Sequence, residues 1–169
     1  ITAHLDRDFS ESSRKGVASL LAVDKALVPV LRKALSEKNF IKMCEAMAMA
    51  LANRKRIIFS GCGATGRLSI LLEALWRDKA PADLKDSVLS IMTGGDFALV
   101  RSVEFFEDYQ QFGRRQVREI KPENGDILVG ITATGETASV IGSVMEAAEN
   151  GMTVFMLICV PKEIPMERL

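Results

Sequence analysis

Two short stretches combine backbone and side chains suited to holding a small anion: Gly61-Cys-Gly-Ala-Thr-Gly-Arg67 and Thr132-Ala-Thr-Gly-Glu-Thr137. Each follows an apolar run of strand length, Arg56-Ile-Ile-Phe-Ser60 and Asp126-Ile-Leu-Val-Gly-Ile-Thr132, and each leads into helical spacing, from Leu68 and from Thr137. Strand, glycine-rich turn and helix in that order gather backbone N–H groups and the positive end of a helix dipole just beyond the strand. A phosphate or carboxylate fits there. The threonine hydroxyls add donors suited to the oxygens of a terminal phosphate.

The first stretch supports more than one reading. Gly61, Gly63 and Gly66 satisfy G-x-G-x-x-G, the pattern that seats a dinucleotide pyrophosphate on a helix N-terminus. Such a site wants an acidic residue for the ribose about 20 residues beyond the glycines, and the candidate, Asp96, comes late. A P-loop is excluded, because no Gly-Lys-Ser/Thr follows. A tight turn that uses glycine for conformation alone stays open. In the second stretch, Thr134 or Thr137 is placed to cap the following helix.

The elements that must position these turns read as alternation. Residues 19–35 and 40–52 carry apolar residues at three-and-four spacing and predict two helices, an N-terminal helical cap over residues 1–54. Residues 55–169 then alternate strands and helices: strands at 56–60, 87–93, 126–132 and 152–159, helices from 68 and over 137–149, and a mostly helical stretch at 97–120 broken near Gly113. Strands apolar nearly throughout and separated by helices predict an α/β fold, a doubly wound, flavodoxin-like parallel sheet sandwiched by helices. In that order the first and third strands flank the point where the chain reverses, so their two turns face one crevice.

Composition narrows the function. Twenty-two basic and 22 acidic side chains balance, 48% of residues are hydrophobic and 26% charged, so no net charge draws nucleic acid or an anionic membrane, and neither is expected as a partner. No apolar run reaches the ~18 residues of a membrane span, and residues 1–13 lack signal-peptide order, which predicts a cytoplasmic protein. Cys44, Cys62 and Cys159 are odd in number and lack metal-like spacing, so neither a disulfide framework nor a metal or other cofactor is expected. His4, the one histidine, is expected to be solvated, as are Arg101, Arg114, Arg115 and Arg118 on a charged helix. Arg67 either reaches the phosphate or pairs with an acidic neighbour. A start without Met and an end soon after an apolar run predict a piece of a longer chain.

Gly-Cys-Gly-Ala-Thr-Gly after one strand and Thr-Ala-Thr-Gly-Glu-Thr after another resemble the sugar isomerase (SIS) domain. Gly61-x-Gly-x-x-Gly-Arg-Leu68, Gly94-Gly-Asp-x-Ala-Leu99, Ser102-Val-Glu-x-x-Glu-Asp108 and Val140-Ile-Gly142 are similar to one branch, the N-acetylmuramic acid 6-phosphate etherases and the glucokinase regulatory protein. The resemblance implies that Gly63, Ala64, Thr65, Gly66, Thr132, Thr134, Gly135 and Thr137 surround a sugar phosphate, with Gly94, Gly95 and Glu104 near the sugar ring. In the etherases two glutamates do acid–base work. Glu107 matches one, and the other falls at Leu75, which Glu73 cannot replace because two residues along a helix turn the side chain by about 200°. Two functions follow as expectations: a phosphosugar-binding or regulatory module in which Glu104 and Glu107 bond sugar hydroxyls, or an isomerase-type or etherase-like enzyme with Glu107, and Glu104 beside it, as catalytic acid or base. SIS domains commonly work in pairs, which implies a homodimer or a second lobe.

Overall fold

The computed structural model describes residues 3–101 and 104–160, excluding the side chain of Glu104. The chain forms two compact units, Ile1–Glu45 and Ala46–Leu169. The first holds α1 (Leu5–Glu11), α2 (Ser13–Leu35) and the start of α3 (Lys38–Ala52). The two expected helices are present, and α2 begins earlier than its apolar spacing because Ser12 caps it, accepting from the Lys15 N–H at 3.1 Å. α1 was not expected. It packs on α2 where Gly16 lets the Phe9 ring lie against the backbone, and Ser19 donates to the Asp8 carboxylate at 2.7 Å.

The second unit is built on β1 (Ile57–Gly61), β2 (Val88–Met92), β3 (Ile127–Thr132) and β4 (Thr153–Ile158), all parallel in the order β2-β1-β3-β4. α4 (Gly63–Lys79) follows β1, and α7 (Ala138–Glu149) follows β3. Side chains alternate across the sheet. Ile58, Ile91 and Leu128 form the core with Val117 of α6 (Gln110–Glu119) and Ala147 of α7. On the opposite face, Ser90 donates to Glu73 of α4 at 2.5 Å, and Met92 lies under Gly66. Helices therefore cover both faces, the doubly wound arrangement that the sequence predicts. Each fully buried aliphatic side chain contributes roughly 1.5–3 kcal/mol.

A buried ion pair ties the N-terminal ends of β1 and β3. Asp126, fully buried, accepts from Arg56 Nε at 3.0 Å, Nη2 at 2.6 Å and the Arg56 backbone N–H at 2.9 Å, and from the Glu123 N–H at 3.0 Å. The same guanidinium donates to the carbonyls of Ile120 and Lys121 at 2.9 and 2.7 Å.

The expected helix over 97–120 is corrected. It is three pieces, α5 (Phe97–Val100), a 3-10 turn at Glu104–Asp108 and α6. Gly113 does not break it but lies buried inside α6, where a Cβ would stand 1.7 Å from the Ser139 carbonyl oxygen, and Gly142 of α7 meets Gln110 as closely. The absent side chains are what let α6 and α7 touch backbone to backbone. Arg114 and Arg118 are not simply solvated either: Arg118 Nε donates to the buried Glu146 at 2.8 Å, and Arg114 donates to Glu146 and Glu149 at 3.1 and 2.7 Å. Tertiary packing, invisible to local spacing, decides both points.

Candidate functional site

β1 and β3 are neighbours, with Gly61 in register with Ile131 and with Met92 of β2. The turns that follow β1 and β3 thus emerge side by side at the C-terminal edge, at the reversal point of the strand order. The helix after β1 begins earlier than the Leu68 at which helical spacing was expected to start. The helix starts at Gly63, so Gly63, Ala64, Thr65 and Gly66 form its first turn, and Cys62 is its N-cap. Gly63 has φ +52°, a left-handed conformation that glycine adopts at least cost. Gly61 and Gly66 face each other so closely that a Cβ on Gly66 would come within 2.8 Å of the Gly61 carbonyl oxygen. Thr65 closes the turn: its hydroxyl donates to the Cys62 carbonyl at 2.8 Å and accepts from the Cys62 N–H at 3.1 Å. The Thr65 and Gly66 N–H groups donate to the Cys62 carbonyl at 3.1 and 3.3 Å, which leaves those of Gly63 and Ala64, at the head of α4, without an intrahelical acceptor.

In the second turn, Thr132 is buried and its hydroxyl lies 3.0 Å from that of Thr137. Thr137 is the N-cap residue of α7 but makes no side-chain cap bond, so the expected hydroxyl cap by Thr137 or Thr134 is corrected: the Thr137 hydroxyl pairs with Thr132. Thr134 is exposed, and Gly135 is buried with φ +84°. Gly94 and Gly95, also at positive φ, form the turn after β2. They line a pocket of about 210 Å³ with Phe106 and Phe112.

Glu107 sits in the 3-10 turn, exposed, and its Oε2 accepts from the Cys62 thiol at 3.3 Å. Burial pushes the Cys62 thiol up from its ordinary pKa, and the hydrogen bond and charge of Glu107 act in the same direction, which keeps the sulfur protonated and donating. The carboxylate is thereby placed over the first turn of α4. Glu104 opens the same 3-10 turn, and its side chain lies outside the described residues. Leu75 is half-exposed on α4. Twelve residues beyond Gly63, it lies about 18 Å along the helix from this turn at ~1.5 Å per residue.

Two residues the sequence did not single out join the turns. Thr93 and Ser139 are buried with their hydroxyls 2.9 Å apart, and the Thr93 N–H and hydroxyl reach the Gly61 carbonyl at 3.0 and 3.4 Å. The end of β1, the end of β2 and the first turn of α7 are linked through them. Their position just before Gly94 and just after Thr137 was the available signal. Arg67 is exposed on α4, and His4 is exposed.

A larger cleft, about 480 Å³, lies elsewhere, along the open edge of β2 between α4 and α6, lined by Ile70, Glu73, Ser90, Leu99 and Gln116. Among the described residues no group of three or more His, Cys, Asp or Glu is placed to hold a metal, and no helix is long and apolar enough to cross a membrane. The three cysteines are free.

Residues 39–149 match the family described as the glucokinase regulatory protein N-terminal SIS domain. The chain is 36% identical over 123 residues to N-acetylmuramic acid 6-phosphate etherase 1 of Vibrio cholerae, covering 73% of this chain and 40% of that protein. It is 29% identical over 156 residues to the N-acetylmuramic acid 6-phosphate etherase of Francisella tularensis subsp. novicida, covering 92% and 51%. The chain spans about a third to a half of the length of the curated relatives it matches. Its fold is similar to that of the phosphoheptose isomerase of Neisseria gonorrhoeae, with TM-score 0.66 and 23% identity over 86% of this chain and 74% of that one. The family match covers β1, β2 and β3, the two turns and the 3-10 segment described above, and the chain belongs to the family of the glucokinase regulatory protein N-terminal SIS domain.

Proposed function

We propose that the chain binds a phosphorylated sugar, a hexose, hexosamine or muramic acid phosphate, at the C-terminal edge of β1 and β3. The observation that carries this is the adjacency of two helix-starting turns, Gly63–Gly66 and 132–137, at the reversal point of the sheet. Their amides and the Thr132, Thr134 and Thr137 hydroxyls supply donors to one phosphate. Thr65 holds the shape of the first turn, Gly135 supplies the left-handed residue of the second, and Gly94 and Gly95 border the sugar ring. Glu107 and Glu104, on one 3-10 turn, are assigned to the sugar hydroxyls. The protein works in the cytoplasm, and its pocket is one of a pair, completed by a second copy or a second lobe.

A second reading, an etherase that eliminates lactate from N-acetylmuramic acid 6-phosphate, is favoured by the placement of Glu107 over the α4 turn. A carboxylate there can take up or deliver the proton that elimination requires. Leu75 offers no second acid, so Glu107 would act with a group from elsewhere. Incubation with N-acetylmuramic acid 6-phosphate, assayed for lactate and for thermal stabilisation against a panel of hexose and hexosamine phosphates, separates the readings. Stabilisation without lactate is the expected result. Lactate release that disappears in Glu107→Gln establishes the etherase. Stabilisation by a dinucleotide and by no sugar phosphate overturns both.

A further inference from the structure

On the phosphosugar reading of the edge of β1 and β3, on which this inference rests, we propose that Cys62 and Glu107 form a selectivity filter. The thiol holds a carboxylate beside the anion turn, where it repels a bare phosphate and accepts a hydroxyl from a phosphorylated sugar.

Two elements meet to make it. Cys62 is the N-cap residue of α4, and its thiol donates to Oε2 of Glu107 in the 3-10 turn at 3.3 Å. Among the described residues that thiol is the one hydrogen-bond partner of the carboxylate, which is exposed and in no ion pair. An exposed glutamate without a partner ranges over its rotamers in water, whereas this one is tied to the residue that starts α4. Its Oε1 is left to accept from a ligand.

Charge decides what such a site admits. The two turns contain one basic and one acidic side chain, Arg67 and Glu136, both exposed, so net attraction for an anion falls to the starts of α4 and α7. Each start carries about half an elementary positive charge, and the Glu107 carboxylate beside them offsets the sum with about one negative charge. Inorganic phosphate then meets hydrogen-bond donors without net attraction, and a bisphosphate meets repulsion. A phosphorylated sugar differs because its own hydroxyl donates to Glu107, and a hydrogen bond to an ionised acceptor is about twice as strong as a neutral one. Selectivity built this way depends on the repulsive element as much as on the attractive one.

Amide shifts of Gly63 and Ala64, titrated separately with inorganic phosphate, glucosamine 6-phosphate and N-acetylmuramic acid 6-phosphate, read the filter. Glu107→Gln keeps the size of the side chain and removes its charge. It should bind inorganic phosphate about ten-fold more tightly than the parent and the sugar phosphates about ten-fold more weakly. Cys62→Ala releases the carboxylate instead of removing it, and should move the two affinities in the same opposite directions by a smaller factor. Cys62→Ser should restore the parent's pattern, and Cys62→Ala should add nothing to Glu107→Gln. Damage to the turn alone would lower both affinities together. With Cys44 and Cys159 replaced by Ser, Glu107→Gln should also speed alkylation of Cys62 by iodoacetamide, because, after burial, the hydrogen bond and charge of Glu107 hold the thiol pKa up. Inorganic phosphate affinity that does not rise in Glu107→Gln, effects of Cys62→Ala and Glu107→Gln that add, or an unchanged alkylation rate would overturn the filter. Sugar-phosphate shifts at Gly63 and Ala64 without any change in phosphate affinity across the variants would overturn the filter and leave the phosphosugar site standing. No shift at these amides with any of the three ligands, in the parent or the variants, would overturn both.

Discussion

The two ends of the sheet are built on opposite terms. At the N-terminal end, Arg56 and Asp126 satisfy each other and three neighbouring backbone groups, the carbonyls of Ile120 and Lys121 and the N–H of Glu123, leaving little for a ligand to take. At the C-terminal end the same strands finish in glycines at strained or crowded positions, hydroxyls bonded to one another, and, at Gly63 and Ala64, helix-leading amides without an intrahelical acceptor. One end closes its polar groups around a buried ion pair, and the other bonds its hydroxyls to one another beside the head of α4. If the proposed site is right, the difference implies that stability and ligand response can be altered separately in this molecule.

The largest effect should come from the closed end. Asp126→Ala leaves the Arg56 guanidinium half-buried without its carboxylate and should lower unfolding stability by roughly 3–5 kcal/mol in urea titration. Sugar-phosphate stabilisation should persist in whatever fraction stays folded. If Asp126→Ala is as stable as the parent, the closed end is not the clamp described.

Next in size is the crossing of α6 and α7. Gly113→Ala forces a methyl against the Ser139 carbonyl and should cost about 1–3 kcal/mol as the helices separate. Gly63→Ala makes the contrast sharp. Its Cβ meets no atom within 4 Å, so the penalty is the left-handed backbone alone, roughly 1–2 kcal/mol, while thermal stabilisation by a sugar phosphate should be lost. Equal loss of ligand response in Gly113→Ala and Gly63→Ala, measured under conditions where both are folded, would erase the distinction between scaffold and site.

The smallest effect is electrostatic. Hydrogen bonds from Arg118 and then Arg114 outweigh the burial of Glu146 and hold its carboxyl down to about 2, below its ordinary 4.5. A carboxyl lowered on folding adds stability that is complete above about 4.5 and is lost as pH falls toward 2. The urea midpoint should therefore drop across that window, and Glu146→Gln should flatten the drop. An unchanged slope in the variant would remove Glu146 from the account.

What the sequence disclosed, and what it hid, follows the range of the interactions. The four strands were legible because apolar runs bounded by turn residues are local, their alternation with helices pointed to a parallel sheet, and the order β2-β1-β3-β4 is that of the flavodoxin-like arrangement expected. Gly113 was misjudged because, taken locally, a glycine in a helical stretch is a breaker; its reason lies in Ser139, a residue on another helix. Thr93 and Ser139 were missed for the same cause. Arg56 and Asp126 stand 70 residues apart, and each alone is an ordinary charged residue at a strand start. Of the candidate site, the two turns could be named in advance, but that Cys62 carries Glu107 to the first of them could not, because the 3-10 turn at Glu104–Asp108 has no periodicity to announce it.

The central claim is that the C-terminal edge of β1 and β3 holds the phosphate. Amide chemical shifts of the isotopically labelled chain, followed during titration with glucosamine 6-phosphate and N-acetylmuramic acid 6-phosphate, test it most directly. The account predicts saturable shifts concentrated at Gly63, Ala64, Thr65 and Gly66 and at Thr134, Gly135 and Thr137, with smaller ones at Gly94, Gly95 and Glu107. Shifts confined to Ile70, Ser90 and Gln116 around the cleft at the β2 edge, or none with either sugar phosphate, would contradict it.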